Sequence, residues 1–540
     1  MKKHIKNLLL TVVFTMAAFS LVKGQEIEVH NGAQFTVTPW ETIETVVDAT
    51  SNGASFLTRA GLTGNKFRVL NLDGQLNEKS KFEIELPEIE NKKVKYFWSN
   101  QMGGNVYFMS RYLDKKSNTY YLYASELNPT NGKFNRHIEA MKVTDDKFKG
   151  WDDPFSAVMS IDSSKMLIMV RYPTKNNEFV RYGLKVMNSN MSELWSKDIE
   201  IPIVDKNFTM GDIEVDKKGN IHLIGYIRMT NDEKNEKDAV GRYYVNVYSF
   251  FHESGELKQY EIGFQNELIR TLNLQVNEND ELVGTGFYSE KKFMDSYKGF
   301  FYLRIDPTTK EVVKSNLSPF SKELLTELIG ERRAEKGKEM PPYEVRASIP
   351  LSNGGMAVVA ENYVYTRRTS TDANGNTTTY ESWLYGNVVV MFINADGKME
   401  TAGVLKKRQY CTATNGAPSL MQKFGIGTTP GVNELPYYGI AIMETNNNIY
   451  VMYNENPKNE ARALAGKKPL SVRQKNSITQ LLTFKADGNM STSTLFKSKD
   501  KEAGYKMPLM PRSSVQYSKN EMIVFGRAGK TMRASRVTIK

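Results

Sequence analysis

Cysteine is all but missing from the chain: Cys411 is the single one in 540 residues. A disulfide framework within one chain is therefore excluded. Stability has to come from a packed core, for which 40% apolar and 11% aromatic residues suffice. The lone thiol reads as a small, half-buried side chain. Histidine is almost as scarce. Beyond the N-terminal segment there are four, His30, His137, His222 and His252. None stands in H-x-x-x-H or H-E-x-x-H spacing, so no metal site is expected. There is no G-x-S-x-G nucleophile elbow. The glycine-rich run FGIGTTPG (Phe424 to Gly431) lacks the lysine and the strand-to-helix setting of a phosphate loop. Asp372 to Asn376 approaches a calcium loop but has no terminal glutamate at ligand spacing. No cofactor is expected.

Long apolar runs are missing too, with one exception. Lys2, Lys3 and Lys6 precede an apolar stretch from Leu8 to Val22, and Val22-Lys23-Gly24 follows. This is the pattern of a secretory signal peptide over residues 1–24, too short for a membrane anchor. No transmembrane segment is expected after its removal. An exported protein follows, periplasmic, on the cell surface or extracellular. The leader holds four lysines and no acid, which takes the formal charge from +11 to +7. Such modest positive charge in an exported chain argues against nucleic acid as a partner.

What is abundant is one local pattern. GDIEVDKKGNIHLIGYI, from Gly211 to Ile227, is an apolar strand, a tight polar turn and a second apolar strand. Seven relatives begin at Glu44, Tyr96, Ala157, Leu272, Val345, Gly439 and Ser513. A second pattern, an aromatic strand, an Asp/Asn/Gly turn and a more polar strand, begins at Phe67, Tyr121, Tyr182, Tyr244, Phe300, Val388 and Thr479. The two alternate without a miss. A hairpin followed by a hairpin is a four-stranded antiparallel sheet, and a tandem array of such sheets predicts an all-β fold, a β-propeller over residues 25–540. The more apolar first hairpin belongs inside and the charged second one outside. Eight blades are expected, with seven as the alternative. Glu26 to Asn31 and the C-terminal MRASRVTIK would share the last blade, removing exposed sheet edges. The turn DKKGNIHLIG from Asp216, and more loosely MGGNVYFMS from Met102, resembles the D-x-x-G-N-x-Y-V-x-G repeats of secreted bacterial β-propeller proteins. That resemblance implies the propeller and brings no catalytic residue with it. The S-x-D-x-G-x-T-W boxes of sialidase-like propellers do not occur.

Turns within hairpins are short throughout. The long segments all link hairpins or blades: 228–242, 318–343, 363–386, 406–436, 455–477 and 497–512. Propeller topology puts these on one face, where long loops on a rigid scaffold commonly carry binding. Ser321 to Lys336 has helical periodicity in Leu324, Leu325, Leu328 and Ile329 and is expected to cap the ring. Tyr365 to Gly386 is expected to protrude as a hairpin about Asn374-Gly375. Three of the loops, 406–436, 455–477 and 497–512, together hold a charge of +10, leaving the remainder of the exported chain near −3. The ligand face is accordingly expected to comprise Lys406, Lys407, Arg408, Lys467, Lys468 and Arg473, with Trp383, Tyr385, Tyr410 and Tyr437 as stacking groups. The expected function is a binding or scaffold module for a protein, an acidic glycan or the envelope surface. The alternative is a carbohydrate-active enzyme, with Asp152, Asp153 and Glu361 among acids near that face.

Overall fold

A computed structural model describes residues 27–540 apart from 39–40, 61–65, 145–153, 175–176, 230–242, 263–266, 278, 291–295, 307, 415–434, 473–475 and 497–506. The expected leader, Arg473, Asp152, Asp153 and the glycine-rich run 424–431 lie outside the described residues. Among the described residues the chain forms eight antiparallel sheets built on four strands each. Seven follow in chain order over 42–84, 95–144, 155–204, 208–262, 268–319, 344–405 and 441–496, here sheets 1 to 7. Sheet 8 takes three strands from 509–539, and its outermost strand is the N-terminal Ile27–Asn31, in register from Ile27 opposite Ile539 to Asn31 opposite Ser535. A two-stranded hairpin, Glu88–Ile89 with Lys92–Lys93, pairs with none of these and packs Ile89 against Tyr112 and Tyr123 of sheet 2.

Each sheet has two apolar faces, and each face is buried against the neighbouring sheet. Phe67 and Val69 of sheet 1 pack with Val106 and Phe108 of sheet 2. Leu122 then shares a cluster with Ile168, Leu184 with Leu223, and Val247 with Leu274. Tyr302 packs with Val358, Phe392 with Val451, and Leu481 with Val524. The last cluster returns to the first sheet, where Phe525 meets Phe56 edge to face with ring centroids 4.8 Å apart. The order of packing is thus cyclic. Each fully buried Phe or Leu contributes roughly 1.5–3 kcal/mol, so the interfaces between sheets dominate the stability. The first strands of sheets 1 and 2, 3 and 4, 4 and 5, 7 and 8, and 8 and 1 approach one another, as the inner strands of propeller blades do. This is a β-propeller, with the charged hairpins outward as the sequence predicts.

The repeated turn has a physical basis at Asp216. One carboxylate oxygen accepts the Asn220 backbone N–H at 2.7 Å and the other accepts its side-chain amide at 2.7 Å. Gly219, at φ 91°, takes the left-handed position the turn needs. Asp73 with Asn77 and Asp372 with Asn376 repeat the device. The Asp372 carboxylate therefore serves a hairpin turn.

Two helices, α1 (Lys322–Ile329) and α2 (Glu331–Glu335), fill the link between sheets 5 and 6. The Ser321 hydroxyl caps α1 by accepting the Leu324 N–H at 3.2 Å. Leu324 is buried, and Leu325 and Leu328 pack beside it against both sheets. A third helix, α3 (Asn459–Leu464), lies in the sheet 7 loop.

Candidate functional site

The most elaborate feature of the long-loop face grows from sheet 6. Its two central strands, Met356–Thr371 and Thr377–Ile393, run on past the blade as a hairpin. A third strand, Gln409–Thr414, pairs along the extension, with Cys411 opposite Trp383 and Tyr410 opposite Leu384. The result is a three-stranded flap. Side chains alternate across a sheet, so its two faces differ by parity. Tyr363, Tyr365, Trp383, Tyr385 and Cys411 point inward and join a cluster with Leu435, Tyr437, Tyr438 and Val472. The outer face carries Val364, Thr366, Arg368, Tyr380, Ser382, Tyr410 and Thr412.

That outer face is open. Tyr380 is 50% and Tyr410 42% exposed, and Val364, Leu464 and Leu470 add exposed apolar surface on the flap and the α3 loop. Five of the twelve large exposed apolar or aromatic side chains among the described residues thus fall here, which singles the region out. A shallow groove of about 460 Å³ runs between Arg368, Tyr380, Ser382 and Tyr410. Glu381 lies at its edge, where its carboxylate accepts the Tyr365 hydroxyl at 2.5 Å. The Arg408 guanidinium sits 5.6 Å from the centre of the Tyr410 ring. Ser471 ties the α3 loop to the flap, its hydroxyl accepting the Tyr410 N–H at 2.9 Å and facing the Tyr410 carbonyl at 3.2 Å. Lys406, Arg408, Lys467 and Lys468 are all exposed around this patch.

Four of the residues expected on the contact face are not on it. Trp383 is 1%, Tyr385 0%, Tyr437 6% and Lys407 1% exposed. The aromatic three belong to the inward parity of the flap and its packing partners, and the Tyr385 hydroxyl accepts the Leu435 N–H at 2.8 Å. Lys407 points to the ring. Its ammonium donates to Glu361 Oε1 at 2.5 Å, to the Tyr385 carbonyl at 3.3 Å and to Gln409 Oε1 at 3.4 Å. Burial pulls the Lys407 ammonium below its usual range, and Glu361 pulls it back. Glu361 Oε2 in turn accepts Arg346 Nε at 2.8 Å. Gln409 donates to the Asn454 carbonyl at 2.8 Å and accepts the Gly439 N–H at 2.8 Å. Lys407 is therefore the anchor of the flap to sheets 6 and 7. Glu361 is its counter-charge, not an acid presented to solvent. Arg368 and Tyr380 were missed because parity in a protruding hairpin is set by its packing, which strand alternation alone leaves open.

A second set of residues was missed because β-bulges place them. The strand nearest the axis slips in sheet 1 at Glu44, in sheet 2 at Phe97, in sheet 4 at Gly211–Asp212, in sheet 5 at Arg270 and in sheet 6 at Arg346. In sheet 8 the register jumps from Met510–Phe525 to Val515–Ile523, leaving residues 511–514 opposite one residue. A bulge re-aims the extra residue. Five of these sites bear charge: Glu44 and Asp212 on one side, Arg270, Arg346 and Arg512 on the other. Burial pushes Asp212 up, and burial with Asp212 alongside pushes Glu214 to about 8.

Two other groupings are turned inward. Ser249, His222 and Asp216 have the composition of a hydrolase triad, with Ser249 Oγ 2.8 Å from His222 Nδ1 and Asp216 3.6 Å from Nε2. All three are buried, and Asp216 is committed to its turn, so no nucleophile reaches a substrate there. At the seam of sheets 8 and 1, a cavity of about 370 Å³ lies beside Glu41. That carboxylate is held by Arg68 at 2.9 Å, Lys81 at 3.5 Å and Thr58 at 2.9 Å.

No protein family's sequence profile and no curated protein matches the chain. Solved structures similar in fold include β-propeller domains. The WD40 domain of SCAP from fission yeast is 9% identical, with 95% of this chain and 98% of that one covered and a TM-score of 0.36. The Dos1 propeller is 10% identical, with 94% of each covered and a TM-score of 0.39. The β-propeller domain of the Trilobed protease from Pyrococcus furiosus, which has an open velcro topology, is 12% identical over 83% of this chain and 93% of that one, with a TM-score of 0.31. At this distance no function or site is transferred, and the fold rests on the strand pairing and the cyclic packing.

Proposed function

We propose that the chain is an exported binding module that holds an acidic partner, an envelope glycan or a protein, against the open face of the flap. The observation that supports this most is the coincidence there of exposed aromatic rings with exposed cations: Tyr380 and Tyr410 beside Arg368, Arg408, Lys406, Lys467 and Lys468. Cations draw an anionic partner in over about 8 Å at physiological salt. The rings then give the short-range contact that charge lacks. The leader-like residues 1–24 support export, and the bacterial repeat resemblance points the same way. The test is a Lys406→Glu, Arg408→Glu, Lys467→Glu, Lys468→Glu variant. These side chains are exposed, so melting should stay within about 0.5 kcal/mol per site of the parent. Retention on an anionic polysaccharide and on an envelope fraction should be lost, and the parent should elute with salt. Equal, salt-insensitive retention of both proteins overturns the reading.

The enzyme reading has one observation in its favour: Asp212 and Glu214 stand two residues apart on the strand Phe208–Val215, and burial with the Asp212 charge pushes the Glu214 carboxyl up to about 8. An acid beside a carboxylate is what glycoside cleavage employs. Release of reducing ends from an envelope glycan, abolished by Glu214→Gln, would favour it over binding alone.

A further inference from the structure

The flap leaves one sheet edge unpaired, and hydrogen-bond parity tells which groups it offers. On the opposite edge the Tyr410 N–H and carbonyl both face Ser471. Backbone groups switch sides from residue to residue in an antiparallel ladder. Cys411 therefore bonds Trp383 opposite it, and the next ladder joins Leu384 to Val364, Ser382 to Thr366 and Tyr380 to Arg368. The Asp372 N–H, bonded to the Asn376 carbonyl at 3.0 Å, keeps the same alternation at the turn. Tyr365, Arg367, Thr369 and Thr371 are left with N–H and carbonyl groups pointing away from the flap. No strand pairs with them there among the described residues. The strand that covers this edge inside the blade, Glu344–Pro350, ends opposite Glu361. Ahead of it stand Pro341 and Pro342, and the Asn362 side-chain amide donates to the Pro342 carbonyl at 2.7 Å. Proline cannot extend a ladder, so the covering stops there.

This edge differs from the outer edges of the blades. In sheets 1, 2, 3, 5, 6 and 7 the outermost pair of strands carries a register shift, a device that blunts an edge against further pairing. Tyr363 to Thr371 pair with Tyr385 to Thr377 through nine consecutive positions without one. The stretch holds no proline and no lysine, and Arg367 to Thr371 are exposed. Its charges decide what fits. Arg367 has Glu381 opposite it, and Asp372 is committed to the turn. Arg368 lies opposite Tyr380 and lines the groove of the outer face, with no ion pair among the described residues. A second copy of the chain fits poorly, because pairing this edge with itself about its middle sets arginine against arginine.

We propose that the free edge receives an extended segment of a partner protein as an added strand, with an acidic side chain facing Arg368. Tyr365, Arg367, Thr369 and Thr371 supply the main-chain bonds, and Arg368 supplies the preference. The proposal rests on the flap as the working element, gives it a protein partner, and makes no use of the lysines of the flap face. The probe is a peptide of nine residues, the length of the edge, alternating threonine and valine with glutamate at its centre. It is N-methylated at every second residue, so that it offers one pairing edge and cannot stack on itself. Anisotropy of the fluorescently labelled peptide reads binding. The parent should bind it and should not bind the same peptide N-methylated throughout. Thr369→Pro removes one outward N–H and no bond of the flap, so melting should be little changed. Its binding should fall about fivefold or more. Arg368→Glu should weaken binding about fivefold or more, and lysine in place of the peptide's glutamate should restore it. Thr369→Pro leaves the face cations untouched and should be retained on an anionic polysaccharide as the parent is, so failure of the face reading and failure of this one are read separately. If the parent binds neither peptide or both alike, or if Thr369→Pro or Arg368→Glu binds as the parent does, the edge is not a docking strand. A parent that sediments as a dimer, with Thr369→Pro a monomer, would assign the edge to a second copy and equally overturn the proposal.

Discussion

At the scale of single residues, the sequence is most readable where a side chain serves its own neighbours. Asp216 to Asn220 is such a case: both carboxylate oxygens act within four residues, so the turn can be recognised from D-x-x-G-N alone. Lys407 is the opposite case. Among Lys406, Lys407 and Arg408 it has the look of a solvated cation, and only Glu361, 46 residues earlier, makes it a buried one. Glu214 is likewise defined by surroundings the sequence does not display. Burial and Asp212 raise its carboxyl from 4.5 to about 8. The folded chain therefore keeps a proton that the unfolded chain releases between those values. Stability contributed by that protonation is complete below about pH 4.5 and lost as pH rises toward 8. Glu214→Gln, a neutral isostere, removes this dependence. Its melting temperature relative to the parent should rise from about pH 5 to about pH 8. A difference that is flat across that window would contradict the assignment.

At the scale of elements, strand-turn-strand alternation and loop length were both legible, and they located the elaborated face. The hairpin about Asn374-Gly375 was legible as well, since Asp372 and Asn376 close it as they do inside the blades. Its third strand was not. Gln409–Thr414 is short and polar, and it becomes a strand only because the 377–385 edge is there to pair with. Bulges escape for a related reason: one extra residue in a strand leaves local composition unchanged. The flap should depend on Lys407 as an element depends on its hinge. Removing one partner of a buried, hydrogen-bonded ion pair costs about 3–5 kcal/mol because the other charge stays buried. Lys407→Met is therefore expected to destabilise by that order in denaturant titration, and Lys406→Met by less than about 0.5 kcal/mol. Similar small losses for both would show that Lys407 is solvated.

At the scale of the whole molecule, cyclic packing makes a rigid body, and the asymmetry of its two faces makes one of them the working face. Turns of at most a few residues close every hairpin on one side. The flap, α1, α2 and the α3 loop occupy the other. The excess positive charge that the sequence places over 406–436, 455–477 and 497–512 is only partly in view. Lys423, Arg473, Lys475, Lys497, Lys499, Lys501 and Lys506 lie outside the described residues, and Lys407 is spent internally. What remains in view is Lys406, Arg408, Lys458, Arg462, Lys467, Lys468 and Arg512, of which Lys406, Arg408, Lys467 and Lys468 are exposed on the segments beside Tyr380 and Tyr410. The most direct measurement is amide hydrogen exchange on the full chain with and without a saturating anionic envelope fraction. Protection confined to 363–385, 409–412 and 459–472, with the short turns at Asn52, Lys218 and Asn446 unchanged, is the predicted result. Protection at those turns, or none at the flap while the fraction is bound, would contradict the flap as the binding face.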